Sequence, residues 1–407
     1  MNLKNLVITG IGVVSPYGLG KDVFWKGLEY GKNCAKKPKE LKYTALAAVV
    51  NDEAVRSYLG QKGLRNIDRS ALMLMAAAGM AIEDAEIKIS ASNTDRIGVA
   101  TGTTFSHIDP IIRFDREVFK EGINFASPAL FPTTVLNAPS SQISIRYNIQ
   151  GFNTTVSTGF TSSLEALKYA SNSIETGHAD IVLAGGVEPL SSPLLFGLRK
   201  LGYLAGIGKK ARALSCPFDA RRNGPVPGEG AGMIVLERQS PGRSGGSTGY
   251  ARILGLSSCF DPRGVTKVFP KGDCLEAAVR SALEQAGIVA EDVDYISSCA
   301  NSTIDLDKVE VKVLKRVFGS KLDKIPVSSI KSMIGETFSA SGILQIASCV
   351  GAMLHKRVPP TINYEKPDRL CDIDCVPNAS RKKNVDIALV VSSGPGGYNS
   401  ACILEKI

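Results

Sequence analysis

Strand-like runs of Val, Ile and Leu alternate with helix-like stretches through both halves of this chain. That alternation points to a layered α/β fold whose sheets are covered on both faces. Leu6-Val-Ile-Thr9 runs into Gly10-Ile-Gly12 and Ser15-Pro16, a strand and then a turn. Asp68 is placed to cap a helix over 69–85. Strands are expected over 96–101, 154–158 and 180–184. A helix is expected over 162–175, with Leu164, Leu167 and Ala170 on its apolar side. The segment 240–249 has no large apolar side chain except a proline ring. It reads as an exposed loop dividing the chain into halves 1–249 and 250–407. The second half offers strands at 251–256, 294–298, 326–329 and 386–391. Its helices are expected at 274–286, closed by Gly287, and at 308–317. Each half is expected to end a strand in a glycine pair, Gly185-Gly186 and Gly396-Gly397, a weak sign of internal duplication.

With 407 residues the chain can bury a large core. Lys plus Arg number 48 against 39 Asp plus Glu, a net charge of +9, which favours an acidic partner. Aromatic residues make up only 6% and do not interleave with basic runs, so nucleic-acid binding is not expected. The clusters Lys36-Lys37 with Lys39, Lys209-Lys210 with Arg212, and Arg381-Lys-Lys383 read as solvated surface, any of which could dock an acidic protein. The longest apolar-plus-glycine run, 71–82, is too short to span a bilayer, and residues 1–9 do not resemble a signal peptide. A cytoplasmic protein without membrane contact is expected. Nine cysteines, an odd number, suggest reduced thiols. Cys371 and Cys375 are the one close pair, without a second pair or a histidine nearby, so neither a metal nor another cofactor is expected. Histidine is scarce: His107, His178 and His355.

Several motifs in order then resemble the β-ketoacyl synthase family of the thiolase fold. They are Val-Ile-Thr-Gly-Ile-Gly-Val-Val-Ser-Pro from Val7, Arg65-Asn-Ile-Asp-Arg69, and the long block from Pro217-Phe-Asp-Ala to Gly232. Lys331-Ser-Met-Ile-Gly335, Pro360-Thr-Ile-Asn363 and the glycine-rich terminal segment complete the set. The resemblance implies a duplicated thiolase-like fold in five layers, α-β-α-β-α. It also implies a chemistry in which an elbow cysteine takes an acyl group and two histidines stabilise the enolate left by decarboxylation.

On that pattern the three catalytic positions are degenerate here. The elbow Val156-Ser-Thr-Gly-Phe-Thr-Ser-Ser163 has Phe160 at the cysteine's place. The segment 296–303 has Cys299 at the first histidine, and Glu336 follows Gly335 at the second. Phe160 cannot form a thioester. An ionised Glu336 about 4 Å from the developing enolate would cost about 4 kcal/mol at an effective dielectric near 20, about three powers of ten in rate. Lys331 and Glu310 stand where the family keeps a lysine and an acid. An ion pair of Lys331 with Glu336, together with the Phe160 ring, is expected to fill the former pocket. Pro395 replaces the mobile phenylalanine of the family's Gly-Phe-Gly-Gly gate, and Pro225 replaces an aromatic, so both loops should be stiffened.

A synthase scaffold without its catalytic groups resembles the chain-length factor, or ketosynthase β subunit, of type II polyketide synthases. The resemblance implies an active ketosynthase as heterodimer partner and acyl carrier protein as a further partner. It also implies an interfacial tunnel lined by Ile111, Phe114 and Val118 of a helix over 108–121. Ordinary core packing is the other reading of those three residues. Two alternatives stand beside the pairing role. One is an acyltransferase or condensing enzyme rebuilt around Cys299, Glu336 and Lys331; the other is a homodimeric scaffold that binds carrier protein or lipid.

Overall fold

The computed structural model describes residues 5–60, 62–208, 211–239, 249–264 and 267–407. Five strands belong to the first half: β1 (Leu6–Ser15), β3 (Ile97–Gly102), β4 (Asn153–Val156), β5 (Ile181–Glu188) and β6 (Gly230–Arg238). The short β2 (Gly18–Leu19) folds back on β1. The second half supplies β7 (Ala251–Phe260), β8 (Tyr295–Ser297), β9 (Val327–Ser328), β12 (Ile387–Ser393) and β13 (Tyr398–Lys406). Between β9 and β12 a separate ribbon pairs β10 (Arg357–Val358) with β11 (Arg381–Lys382).

The two halves repeat one topology. The strand order is β4-β3-β5-β6-β1 in the first and β9-β8-β12-β13-β7 in the second. Numbered within each half, both read 3-2-4-5-1. In both, strand 2 runs parallel to strands 3 and 4, and strand 5 is antiparallel to strands 4 and 1. The halves join edge to edge through Val7 opposite Arg252 and Ile8 opposite Ala251. Topology is therefore the evidence for duplication. The glycine pairs are not: Gly185-Gly186 lies inside β5, whereas Gly396-Gly397 forms the turn after β12. Gly185 is required because a Cβ there would lie 2.1 Å from the Gly232 carbonyl oxygen of β6. The proposed dividing loop falls almost wholly on 240–248, outside the described residues.

Two helices form the middle layer, Ser162–Glu175 and Ser341–His355, each packing on strands of both halves. They touch where Gly342 meets Leu164, an approach a Cβ at 342 would close to 2.6 Å. The helix Arg69–Asp84 covers the outer face of the first half, and Asp273–Ala286 with Ile304–Phe318 covers the second. This is the expected five-layered α-β-α-β-α fold. The Asp68 side chain accepts from the Ala71 N–H, so the cap is as anticipated. The apolar stretch Phe338–His355 is long enough to cross a bilayer, but 89% of it is buried inside the protein, and that burial accounts for its composition.

The motif beginning Pro217 is pinned by Asp219, a buried residue. Its carboxylate accepts from the Arg221 guanidinium and from the backbone N–H groups of Arg221, Glu365 and Lys366. Burial alone would raise its pKa, but these donors outweigh it and hold the group at about 2. The folded-state pKa is depressed, so the linked stability is present above about pH 4, the unfolded value, and is lost as pH falls through about 2. Asp219→Asn is expected to flatten the fall in urea midpoint between pH 5 and pH 2.5, and a parallel fall in both proteins would count against this role.

Candidate functional site

The N-terminal ends of the two middle helices converge, and the site lies between them. A 3₁₀ turn precedes each helix, Gly159–Thr161 in one half and Phe338–Ala340 in the other. Phe160 lies in the first turn and is buried. Its ring meets Phe338 edge-on at 5.2 Å between centroids and Tyr203 at 6.1 Å. Gly394 closes the third side: a Cβ there would stand 2.5 Å from the Phe160 ring. Leu190, Leu194, Leu195 and Leu198 complete this apolar cluster. The elbow is thus filled by packed side chains.

Behind the rings lies the expected ion pair. Lys331 Nζ is 2.9 Å from Glu336 Oε2, and both side chains are essentially inaccessible. Lys331 also donates to the Cys299 carbonyl at 3.1 Å. Glu336 Oε2 accepts from Asn301 Nδ2 at 2.7 Å, and Oε1 accepts from the Phe338 N–H at 2.9 Å. That last bond braces Phe338 at φ 48, a left-handed conformation costly for a bulky side chain. Asn301 Nδ2 also donates to the Tyr203 hydroxyl at 2.9 Å. Glu336, Asn301 and Tyr203 therefore connect the buried charges to the aromatic plug.

Cys299 enters this arrangement through its backbone. Glu310 accepts from the Cys299 N–H at 2.9 Å and from Ser298 Oγ at 2.6 Å. Burial, and then the adjacent Glu310 carboxylate, push the Cys299 thiol well above its ordinary range. Burial also raises Glu310. A thiol held in its protonated form is a poor nucleophile. In this segment Asn301, two residues further on, presents its side chain to Glu336. The sequence pattern singles out Cys299 in this segment and not Asn301. Nor does it point to Tyr203 and Phe338, which no motif carries.

The prolines bracket the site. Pro225 is buried and its carbonyl accepts from the Ala205 N–H at 2.9 Å. Pro395 is half-buried, its carbonyl oxygen 3.9 Å from where a Gly159 Cβ would stand.

The helix Ile108–Glu121 forms over the expected span, but ordinary core packing fails within this chain: Pro110 is its one buried residue. Ile111 is exposed and Phe114 and Val118 are half-buried, with Phe114 meeting Phe131 edge-on at 5.8 Å. Exposed apolar side chains gather on this helix and just beyond it: Phe119 at 88% exposure, Phe125 at 80% and Ile123 at 76%. Ser106 Oγ and His107 Nδ1, at the start of the same helix, are buried atoms without a hydrogen-bond partner.

Comparison with known proteins places these features. Residues 4–241 match the family described as β-ketoacyl synthase, N-terminal domain, and residues 250–365 match β-ketoacyl synthase, C-terminal domain. A 3-oxoacyl-[acyl-carrier-protein] synthase 2 of Coxiella burnetii is 33% identical over 412 residues, covering 100% of each chain. The solved ishigamide ketosynthase/chain length factor superposes with a TM-score of 0.91 at 28% identity, covering 99% of each chain. A type II polyketide synthase acyl-carrier protein in complex with its ketosynthase, bound to a hexaketide, includes a chain that superposes with a TM-score of 0.90. That chain is 28% identical, with 99% of this chain and 100% of that one covered.

Proposed function

The chain belongs to the β-ketoacyl synthase family, and from that premise we propose that it is the non-catalytic member of a ketosynthase pair, a chain-length factor. It pairs with an active synthase and shapes the tunnel that receives the growing acyl or polyketide chain. The observation that carries this reading is the filled elbow: Phe160, Phe338 and Tyr203 pack together where the family resemblance places the nucleophile. The buried Glu336 beside them would oppose an enolate.

The uncovered apolar surface supports pairing. Phe119, Ile123 and Phe125 form a large exposed apolar group of the kind that marks an interface. Ser106 Oγ and His107 Nδ1, buried and without a hydrogen-bond partner, lie at the opposite, N-terminal end of the helix, beside the proposed tunnel positions. Ile111, Phe114 and Val118 are the proposed tunnel positions, and the stiffened Pro225 and Pro395 loops suit a subunit that is not itself acylated. Acyl carrier protein is the further partner, as in the solved complex of a related ketosynthase. The rebuilt-enzyme alternative loses support because its nucleophile, Cys299, is buried beside a carboxylate.

Co-expression with the intact ketosynthase of the same genome, followed by mass measurement of the purified complex, tests this reading. A one-to-one heterodimer is expected. Phe119→Asp with Ile123→Asp should weaken that complex at least tenfold and leave the unfolding midpoint of the isolated chain unchanged. A stable homodimer that excludes the synthase would overturn the proposal.

A further inference from the structure

A cleft of about 690 Å³ opens on the first half, and its floor shares Ala47 and Leu190 with the apolar cluster around the aromatic plug. Its volume falls in the range of about 300–1,000 Å³ typical of small-molecule sites. One wall is the loop 36–47, closed at its base by paired backbone bonds: Lys36 N–H to the Ala47 carbonyl at 3.0 Å, and Ala47 N–H to the Lys36 carbonyl at 2.8 Å. The chain on either side of this loop is tied to the body of the protein by the Cys34 N–H on the Met333 carbonyl at 2.9 Å, and by the Ala48 N–H on the Pro227 carbonyl at 3.0 Å. The cleft is therefore a built cavity with fixed walls.

Its lining is divided in kind. Lys32, Lys36, Lys37 and Lys39 are exposed around it, and among the described residues none of them has a carboxylate partner. Lys32 and Lys36 stand close enough to Cys34 to act on its thiol. The carboxylates facing the cleft are Glu40, Asp52 and Glu229, and the latter two are both engaged by Arg69. With Arg69 counted, five cations face three carboxylates, so the lining keeps a net positive charge of two. Below them Leu41, Ala47, Val50 and Leu190 provide an apolar floor, with the exposed Val49 at its mouth. A solvated surface loop needs no such floor, and an inorganic anion would gain nothing from it.

We propose that this cleft binds an amphiphile with an anionic head and an aliphatic chain, the head among the lysines and the chain along the floor. The charge arrangement selects against a cationic head, and the floor selects against a head group alone. Carboxylate and phosphate heads share the required chemistry. The proposal is independent of the pairing role, since the cleft is complete in one chain.

Titration calorimetry on the purified full-length protein tests it, with dodecanoate and dodecyl phosphate below their micelle concentrations. Dodecyltrimethylammonium, dodecanol and inorganic phosphate serve as comparisons. Saturable one-to-one binding of at least one anionic amphiphile is expected, and the tighter of the two identifies the head group. The triple variant Lys36→Glu, Lys37→Glu, Lys39→Glu should bind at least tenfold more weakly with an unchanged unfolding midpoint. Val49→Asp, at the mouth of the cleft, should do the same without touching a lysine. Equal binding of the cationic amphiphile, binding of inorganic phosphate as tight as that of dodecyl phosphate, absence of saturation, or unchanged affinity in the variants would overturn the proposal.

Discussion

Lys331→Met is expected to lower the unfolding free energy by about 3–5 kcal/mol, because it leaves Glu336 as a buried, uncompensated charge. Both side chains are essentially inaccessible and 2.9 Å apart, so water cannot take the place of the missing ammonium without local rearrangement. The double variant Lys331→Met, Glu336→Gln should recover part of the loss. It should not recover all, because Glu336 also accepts from Asn301 and from the Phe338 N–H, and an amide cannot satisfy both donors equally. Guanidinium-chloride unfolding of the three proteins measures this. A single variant within about 1 kcal/mol of the parent would show that the pair lacks the structural role assigned to it.

The second large effect belongs to Phe160→Ala, expected to cost about 3–5 kcal/mol through lost burial and a residual cavity. The ring touches both Phe338 and Tyr203, and Gly394, which packs against it, has no side chain to fill the vacated space. Phe160→Cys places a thiol at the elbow, yet malonyl-carrier decarboxylation should remain at the level of a protein-free control, because Cys299 and Glu336, the residues the family resemblance sets at the two histidine positions, offer no strong donor pair to the enolate. Radiolabelled carbon dioxide release measures this. Release well above that control from the cysteine variant would sink the account of the site as electrostatically unfit.

Much of the fold was legible in the sequence where one local signal dominated. The helix Ser162–Glu175 begins and ends as its apolar spacing indicated, and Asp68 caps its helix as its position suggested. The strand Gly230–Arg238 was not anticipated because it opens Gly-Ala-Gly, a turn-like composition. Those small residues serve packing instead: a Cβ at Gly232 would lie 2.7 Å from Ile343 Cγ2. The helix Ser341–His355 was missed for another reason. It is buried on nearly all sides, so it carries no amphipathic period to read.

The site divides in the same way. Lys331 and Glu336 belong to one short motif, and their pairing could be anticipated from it. The Asn301–Tyr203 bond joins residues 98 positions apart, and only the fold brings them together. The segment 296–303 falls between these cases: its Cys299 joins the ion pair only through its carbonyl, and it is the Asn301 side chain that reaches Glu336.

The repeated strand order gives the aromatic plug a further meaning. Phe160 and Phe338 each lie in the turn before the middle helix of their own repeat, between its third and fourth strands. The two rings therefore occupy corresponding places in the two repeats, and they meet edge-on. An ancestral duplication would have placed the same position of a half-sized protein face to face with itself. The contact that seals this chain is then one between equivalent positions of its two repeats.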